Sequence, residues 1–87
     1  METILIVEDD KTIAESICFI LEKDSFNCQW FDNGTDALEY HKDNEVDLIL
    51  LDVGLPDMSG FDLLRKVREK SNIPVIIISA RDDESDQ

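Results

Sequence analysis

Basic side chains are scarce in this sequence: 8 Lys+Arg stand against 21 Asp+Glu, a formal net charge of −13 over 87 residues. A chain so short of cations has little with which to neutralise a phosphate backbone or an anionic lipid surface, so neither nucleic acid nor membrane is an expected direct partner. Cysteine is nearly absent too. Cys18 and Cys28 are the only two, each set singly among apolar residues and without C-x-x-C spacing, so they read as reduced core thiols of a cytoplasmic protein. No apolar run approaches the length that spans a bilayer, and the start, METILIVEDD, has neither the basic stretch nor the small-residue cleavage pattern of a signal peptide. Internal repeats and linkers are missing as well. A chain of this length makes at most one small domain, with a modest core and marginal stability on its own.

What is there alternates between two periods. TILIV (Thr3 to Val7) is short, continuously apolar and rich in β-branched residues, as in a strand buried on both faces. Ile13, Ile17, Ile20 and Leu21 then recur at helical spacing with charges between them, which predicts an amphipathic helix running to about Asp24. FNCQWF (Phe26 to Phe31) reads as a half-polar edge strand. Asn33 is placed to cap a short second helix, with Asp36 near its positive end. VDLILLD (Val46 to Asp52) is a third strand, and VGLPDMSG after it is loop by its Gly, Pro and Asp content. Ser59 and Asp62 form a capping pattern ahead of a third helix whose expected inward stripe is Phe61, Leu64 and Val67. PVIIIS (Pro74 to Ser79) reads as a fourth buried strand, and ARDDESDQ follows as an acidic end without apolar anchors. Strands alternating with helices predict an α/β fold, a parallel sheet with helices on both faces.

In such a sheet the functional crevice lies beyond the carboxyl ends of the strands. Glu8 and Asp9 arrive there after the first strand, Asp52 after the third, and Ser79 at the end of the fourth. If the third strand lies beside the first, three carboxylates meet and raise one another's pKa unless a cation compensates. Mg²⁺ suits the set, since it takes one or two carboxylates, keeps several waters and recruits phosphate oxygens. Asp10 differs from its neighbours, because it stands where an N-cap of the first helix belongs. The bland readings are a solvated turn for the acidic run, a plain turn for GLPD and a strand-end hydroxyl for Ser79. His41 is expected only to sit favourably near a helix end, and Trp30, Phe31 and Tyr40 to pack in the core or at an edge.

ILIVEDD, LILLDVGLPDMSG and PVIIISA, in this order and spacing, resemble the receiver domain of bacterial two-component response regulators, over the whole chain. The resemblance implies a doubly wound, flavodoxin-like sheet with the fourth strand interior. It implies that Asp52 is the phosphoacceptor, Asp9 a direct Mg²⁺ ligand, Glu8 a ligand through water and Gly54 the donor of a backbone carbonyl to the metal. Ser79 would give the phosphoryl group a hydroxyl, and Ala80 the room it needs. A sensor histidine kinase would be the donor, and the output, reached through a winged-helix DNA-binding part outside the chain, would be transcription. Residues 1–87 would then be the N-terminal portion of a receiver, β1-α1-β2-α2-β3-α3-β4, lacking most of a fourth helix, a fifth strand with its phosphate-pairing Lys and a fifth helix. That predicts weak phosphorylation and self-association along the edge of the fourth strand. Two other readings are a Mg²⁺-dependent phosphohydrolase of the haloacid dehalogenase type and a non-signalling assembly fragment. The former class resembles D-x-D after its first strand, where this chain has E-D-D.

Overall fold

A computed structural model describes residues 2–78. Its elements are β1 (Thr3–Val7), α1 (Lys11–Lys23), β2 (Asn27–Phe31), α2 (Gly34–Asp43), β3 (Leu48–Asp52), α3 (Gly60–Arg68) and β4 (Val75–Ile78). All strand pairs are parallel, in the order β2-β1-β3-β4. This is the parallel sheet expected from the alternation of periods, in the doubly wound order that the family resemblance implies, with β2 at an edge and β3 beside β1.

Strand alternation divides the core into two layers. Ile4 and Ile6 face α1 and pack with Ala14, Ile17, Leu21, Leu48 and Leu50, whereas Leu5, Val7, Ile49 and Leu51 face α2 and α3 and pack with Ala37, Leu63 and Val67. Each aliphatic side chain buried in this way contributes about 1.5–3 kcal/mol relative to leaving it in water. The three helices start on local caps: Asp10, Asn33 and Ser59 accept from the N–H of Ile13, Asp36 and Asp62. Satisfying those otherwise free donors is why each helix begins where it does.

Several expectations need correction. In α3 Val67 is buried and Leu64 packs half-buried against the core as expected, but Phe61 is 59% exposed, and Gly60 and Leu63 take the other buried places. The phase is set by Gly60, which lies so close to the sheet that a Cβ there would stand 2.6 Å from the Asp52 carbonyl oxygen. With that position turned inward, its neighbour Phe61 points out. In α1 Ile20 is likewise exposed, and Ala14 takes the most buried place. β3 begins two residues later than expected because Asp47 is drawn into a turn against β1: its N–H donates to the Thr3 carbonyl and its carboxylate accepts from the Thr3 N–H.

The fourth strand is not buried on both faces. Ile76 and Ile77 are 50% and 37% exposed. Ile76 pairs in register with Leu50, on the α1 side of the sheet, but α1 lies over β1 and β2 and does not reach it. Ser79, expected to close this strand, and Ala80 fall outside the described residues.

The two cysteines are not separate thiols. Cys18 of α1 and Cys28 of β2 point at each other across the α1 layer, with Cα atoms 5.8 Å apart, and are joined as a disulfide. Sequence position hid this because the pair forms only once α1 folds back over the sheet. Closing so short a loop is worth about 2–3 kcal/mol against the unfolded chain.

Candidate functional site

The carboxyl ends of β1 and β3 lie side by side, since Val7 is the register partner of Leu51. The next residue on each strand is therefore an acid, Glu8 on one and Asp52 on the other, and both are buried, at 1% and 3% exposure. Asp9, one step further and exposed, completes a cluster in which one carboxylate oxygen from each of Glu8, Asp9 and Asp52 lies within 4.8 Å of the others. The three acids that the strand ends predict are thus brought together.

The electrostatics are unfavourable for three bare anions. Burial above all, opposed by the Asp10 N–H and aided by the charges of Asp52 and Asp9, brings the Glu8 carboxyl up from 4.5 to about 7. Glu8 Oε2 accepts from the Asp10 N–H at 3.1 Å, but Oε1 is buried and has no hydrogen-bond partner among the described residues. A buried, unpartnered carboxylate oxygen next to two further carboxylates costs free energy that a bound cation would recover. The all-oxygen donor set matches a hard divalent ion such as Mg²⁺.

Asp10 stands apart from this cluster. It caps α1, accepting from the Ile13 N–H at 3.2 Å. Asp10→Ala is therefore expected to cost about 1 kcal/mol in stability and to leave Mg²⁺ binding in place, with Asp9→Ala showing the opposite pattern. Denaturant melts and Mg²⁺ titration of both variants check the division, and a reversed order would overturn it.

Backbone geometry around the cluster is braced by residues whose contribution the sequence does not advertise. The Glu8 N–H donates to the Phe31 carbonyl at 3.1 Å, and the Trp30 indole N–H donates to the Glu8 carbonyl at 2.7 Å. Trp30, expected only to pack, thus ties the β1–α1 turn to the edge strand. Its one signal was a polar handle on an otherwise apolar body in a half-buried strand. Beyond Asp52, Gly54 sits in the β3–α3 loop and bridges to Ser59, while the Gly60 N–H closes the loop base on the Val53 carbonyl at 2.9 Å.

A family model described as the response regulator receiver domain matches residues 4–87. The sensory transduction protein RegX3 of Mycolicibacterium smegmatis is 39% identical over 87 residues, an alignment covering 100% of this chain and 38% of that protein. The chain therefore spans well under half the length of that curated relative. Among solved structures, the MaeR response regulator bound to beryllium trifluoride is 34% identical with a TM-score of 0.86, covering 95% of this chain and 70% of that one. The response regulator TrrA of Thermotoga maritima, solved in complex with Mg²⁺ and beryllium fluoride, is 28% identical with a TM-score of 0.87, covering 93% of this chain and 71% of that one.

Proposed function

The chain belongs to the response regulator receiver domain family, and from that premise we propose that it accepts a phosphoryl group on Asp52, with Mg²⁺, to switch an output. The observation that carries this reading is the buried Glu8 and Asp52 pair joined by Asp9, with Glu8 Oε1 unpartnered. Asp9 and Asp52 would hold the metal directly, Glu8 through water and Gly54 through its carbonyl. When bound, the ion neutralises charge on the acids and on the incoming phosphoryl oxygens. Asp52 Oδ would attack phosphorus as the bond to the donor breaks and the leaving group keeps the electron pair. Because such transfer passes through a loose transition state, alignment and charge neutralisation are the main demands on the protein. Ile78 is the register partner of Asp52, and Ser79 and Ala80 follow it in sequence. They would supply the hydroxyl contact and the small side chain beside the phosphoryl group.

In this reading residues 1–87 are the N-terminal portion of a receiver, and the chain is a phosphoacceptor and not a turnover enzyme. A sensor histidine kinase is the donor, acting in the cytoplasm, and a separate effector domain carries any contact with DNA. Intact-mass measurement after long incubation with a small acyl phosphate, with and without Mg²⁺, tests the proposal. One added phosphoryl group that requires Mg²⁺ is expected, and steady turnover of a phosphate monoester would instead favour a hydrolase.

The polypeptide of these 87 residues is also expected to self-associate. The outer edge of β4 pairs with no strand among the described residues, and Val75 to Ile78 is apolar and β-branched throughout, a template for a second strand. Light scattering across a concentration series should show dimers or larger species that dissociate on dilution. A cooperatively melting monomer at every concentration would refute the edge pairing.

A further inference from the structure

The β3–α3 loop makes one contact that the phosphoacceptor chemistry does not explain. Asp57, at the loop tip, reaches across to the first turn of α2. Its Oδ1 accepts from the Gly34 N–H at 2.8 Å, and its Oδ2 accepts from the Thr35 N–H at 2.8 Å and from the Thr35 hydroxyl at 2.5 Å. These bonds, the Thr35 hydroxyl foremost and then the Gly34 N–H, hold the Asp57 carboxyl below the usual carboxylate range. Next to it Met58 packs so tightly on Gly34 that a Cβ there would lie 2.6 Å from the Met58 sulfur. Loop tip and helix start are therefore fitted to each other.

This goes beyond capping. α2 already has its own N-cap in Asn33, which accepts from the Asp36 N–H at 2.8 Å. Asp57 comes from 23 residues away in sequence, on the segment that leaves directly from Asp52. That segment is closed at its base by the Gly54–Ser59 bridge and the Gly60 N–H, and its middle is held by Leu55 in the core. The Gly54–Ser59 bridge makes the loop one piece, so the Asp57 bonds, which fix its tip to a helix that is itself packed on the sheet, fix Gly54 as well.

We infer that Asp57 is a positioning residue for the metal site: by clamping the loop tip to Gly34 and Thr35, it fixes the Gly54 backbone that would help hold the cation. The inference rests on the phosphoacceptor reading above. The side-chain hydrogen bonds of Asp57 go to Gly34 and Thr35 and not to the acids, so its effect passes through the loop, as the outer residues of metal sites act on the ligands they orient.

The test compares the parent chain with Asp57→Ala, Asp57→Asn and Thr35→Val, titrating Mg²⁺ by the fluorescence of Trp30, whose indole bonds the Glu8 carbonyl. Asp57→Ala should raise the Mg²⁺ dissociation constant about tenfold. Its labelling by acyl phosphate should slow at low Mg²⁺ and return to within about twofold of the parent at saturating Mg²⁺, the mark of lost binding and not of lost chemistry. Asp57→Asn keeps an acceptor for the Thr35 hydroxyl but sets an amide against the second N–H, and so should fall between. Thr35→Val, which loses the hydroxyl bond alone, keeps the comparison open if Asp57→Ala does not fold. A lowered melting temperature with an unchanged Mg²⁺ constant in these variants would overturn the positioning role and leave the phosphoacceptor reading standing. A parent chain that binds no Mg²⁺ would remove that reading and the inference together.

Discussion

Asp52→Asn is expected to abolish phosphorylation outright: after incubation with acyl phosphate and Mg²⁺, the variant should gain no mass while the parent gains one phosphoryl group. The substitution is nearly isosteric, and its site makes shape matter. Asp52 is 3% exposed at the end of β3, with Gly60 packed against its own carbonyl, so a larger change would disturb α3 as well. Asparagine keeps the volume and loses the anionic oxygen pair, which would be the nucleophile of the proposed transfer. It also removes one charge from the acid cluster, and with it part of the repulsion that pushes the Glu8 proton affinity up. The variant should accordingly melt no lower than the parent when no metal is present. Loss of labelling in a protein that folds at least as well assigns the defect to chemistry. A mass increment persisting in Asp52→Asn would place the phosphoacceptor elsewhere.

How far the site could be read in advance follows from the range over which each signal acts. Asp10, Asn33 and Ser59 were legible as caps because a cap bonds an N–H three residues on, wholly within a short stretch of sequence. Glu8, Asp9 and Asp52 were legible because strand ends in a parallel sheet share one edge, so an acid closing two neighbouring strands must meet its counterparts. The phase of α3 was legible only in part. Val67 is buried and Leu64 packs on the core as the spacing predicts, but Gly60 and Leu63 turn inward in place of Phe61, a choice made by a backbone contact between Gly60 and Asp52 that no periodicity encodes. The Cys18–Cys28 pairing, the Trp30 bond to the Glu8 carbonyl and the Asp57 clamp on α2 share that character. Each joins different elements, and each appears only when the layers are stacked. Residues 79–87 lie outside the described structure, so the contribution expected of Ser79 and Ala80 rests on sequence and family.

Without metal, the stability of this protein should fall as the pH is raised from about 5 to about 8, and Glu8 should be the cause. Its carboxyl titrates at 4.5 when free and at about 7 in the folded chain, chiefly through burial, with the charges of Asp52 and Asp9 adding to it. Between those values the folded state holds a proton that the unfolded state has released. Folding is therefore favoured fully below the lower value, and that contribution is lost as the pH passes the upper one. His41 works against this in the same window. Burial, then the Lys70 charge, lowers its pKa from 6.5, so its share of stability rises with pH. Glu8→Gln isolates the carboxylate, because the variant keeps His41 and carries no charge at position 8 at any pH. In chelator the variant should out-melt the parent above about pH 7 and lose the downward slope. Mg²⁺ should act on the parent in the opposite sense, raising its melting temperature strongly at high pH and little at low pH, since protonating Glu8 removes the charge that would help hold the hydrated ion. Thermal melts of both proteins across the range, with chelator and with millimolar Mg²⁺, decide it. Parallel pH profiles for parent and Glu8→Gln would show that Glu8 is ionised in the folded chain throughout, and that the unpartnered oxygen beside Asp52 is not what calls for a cation.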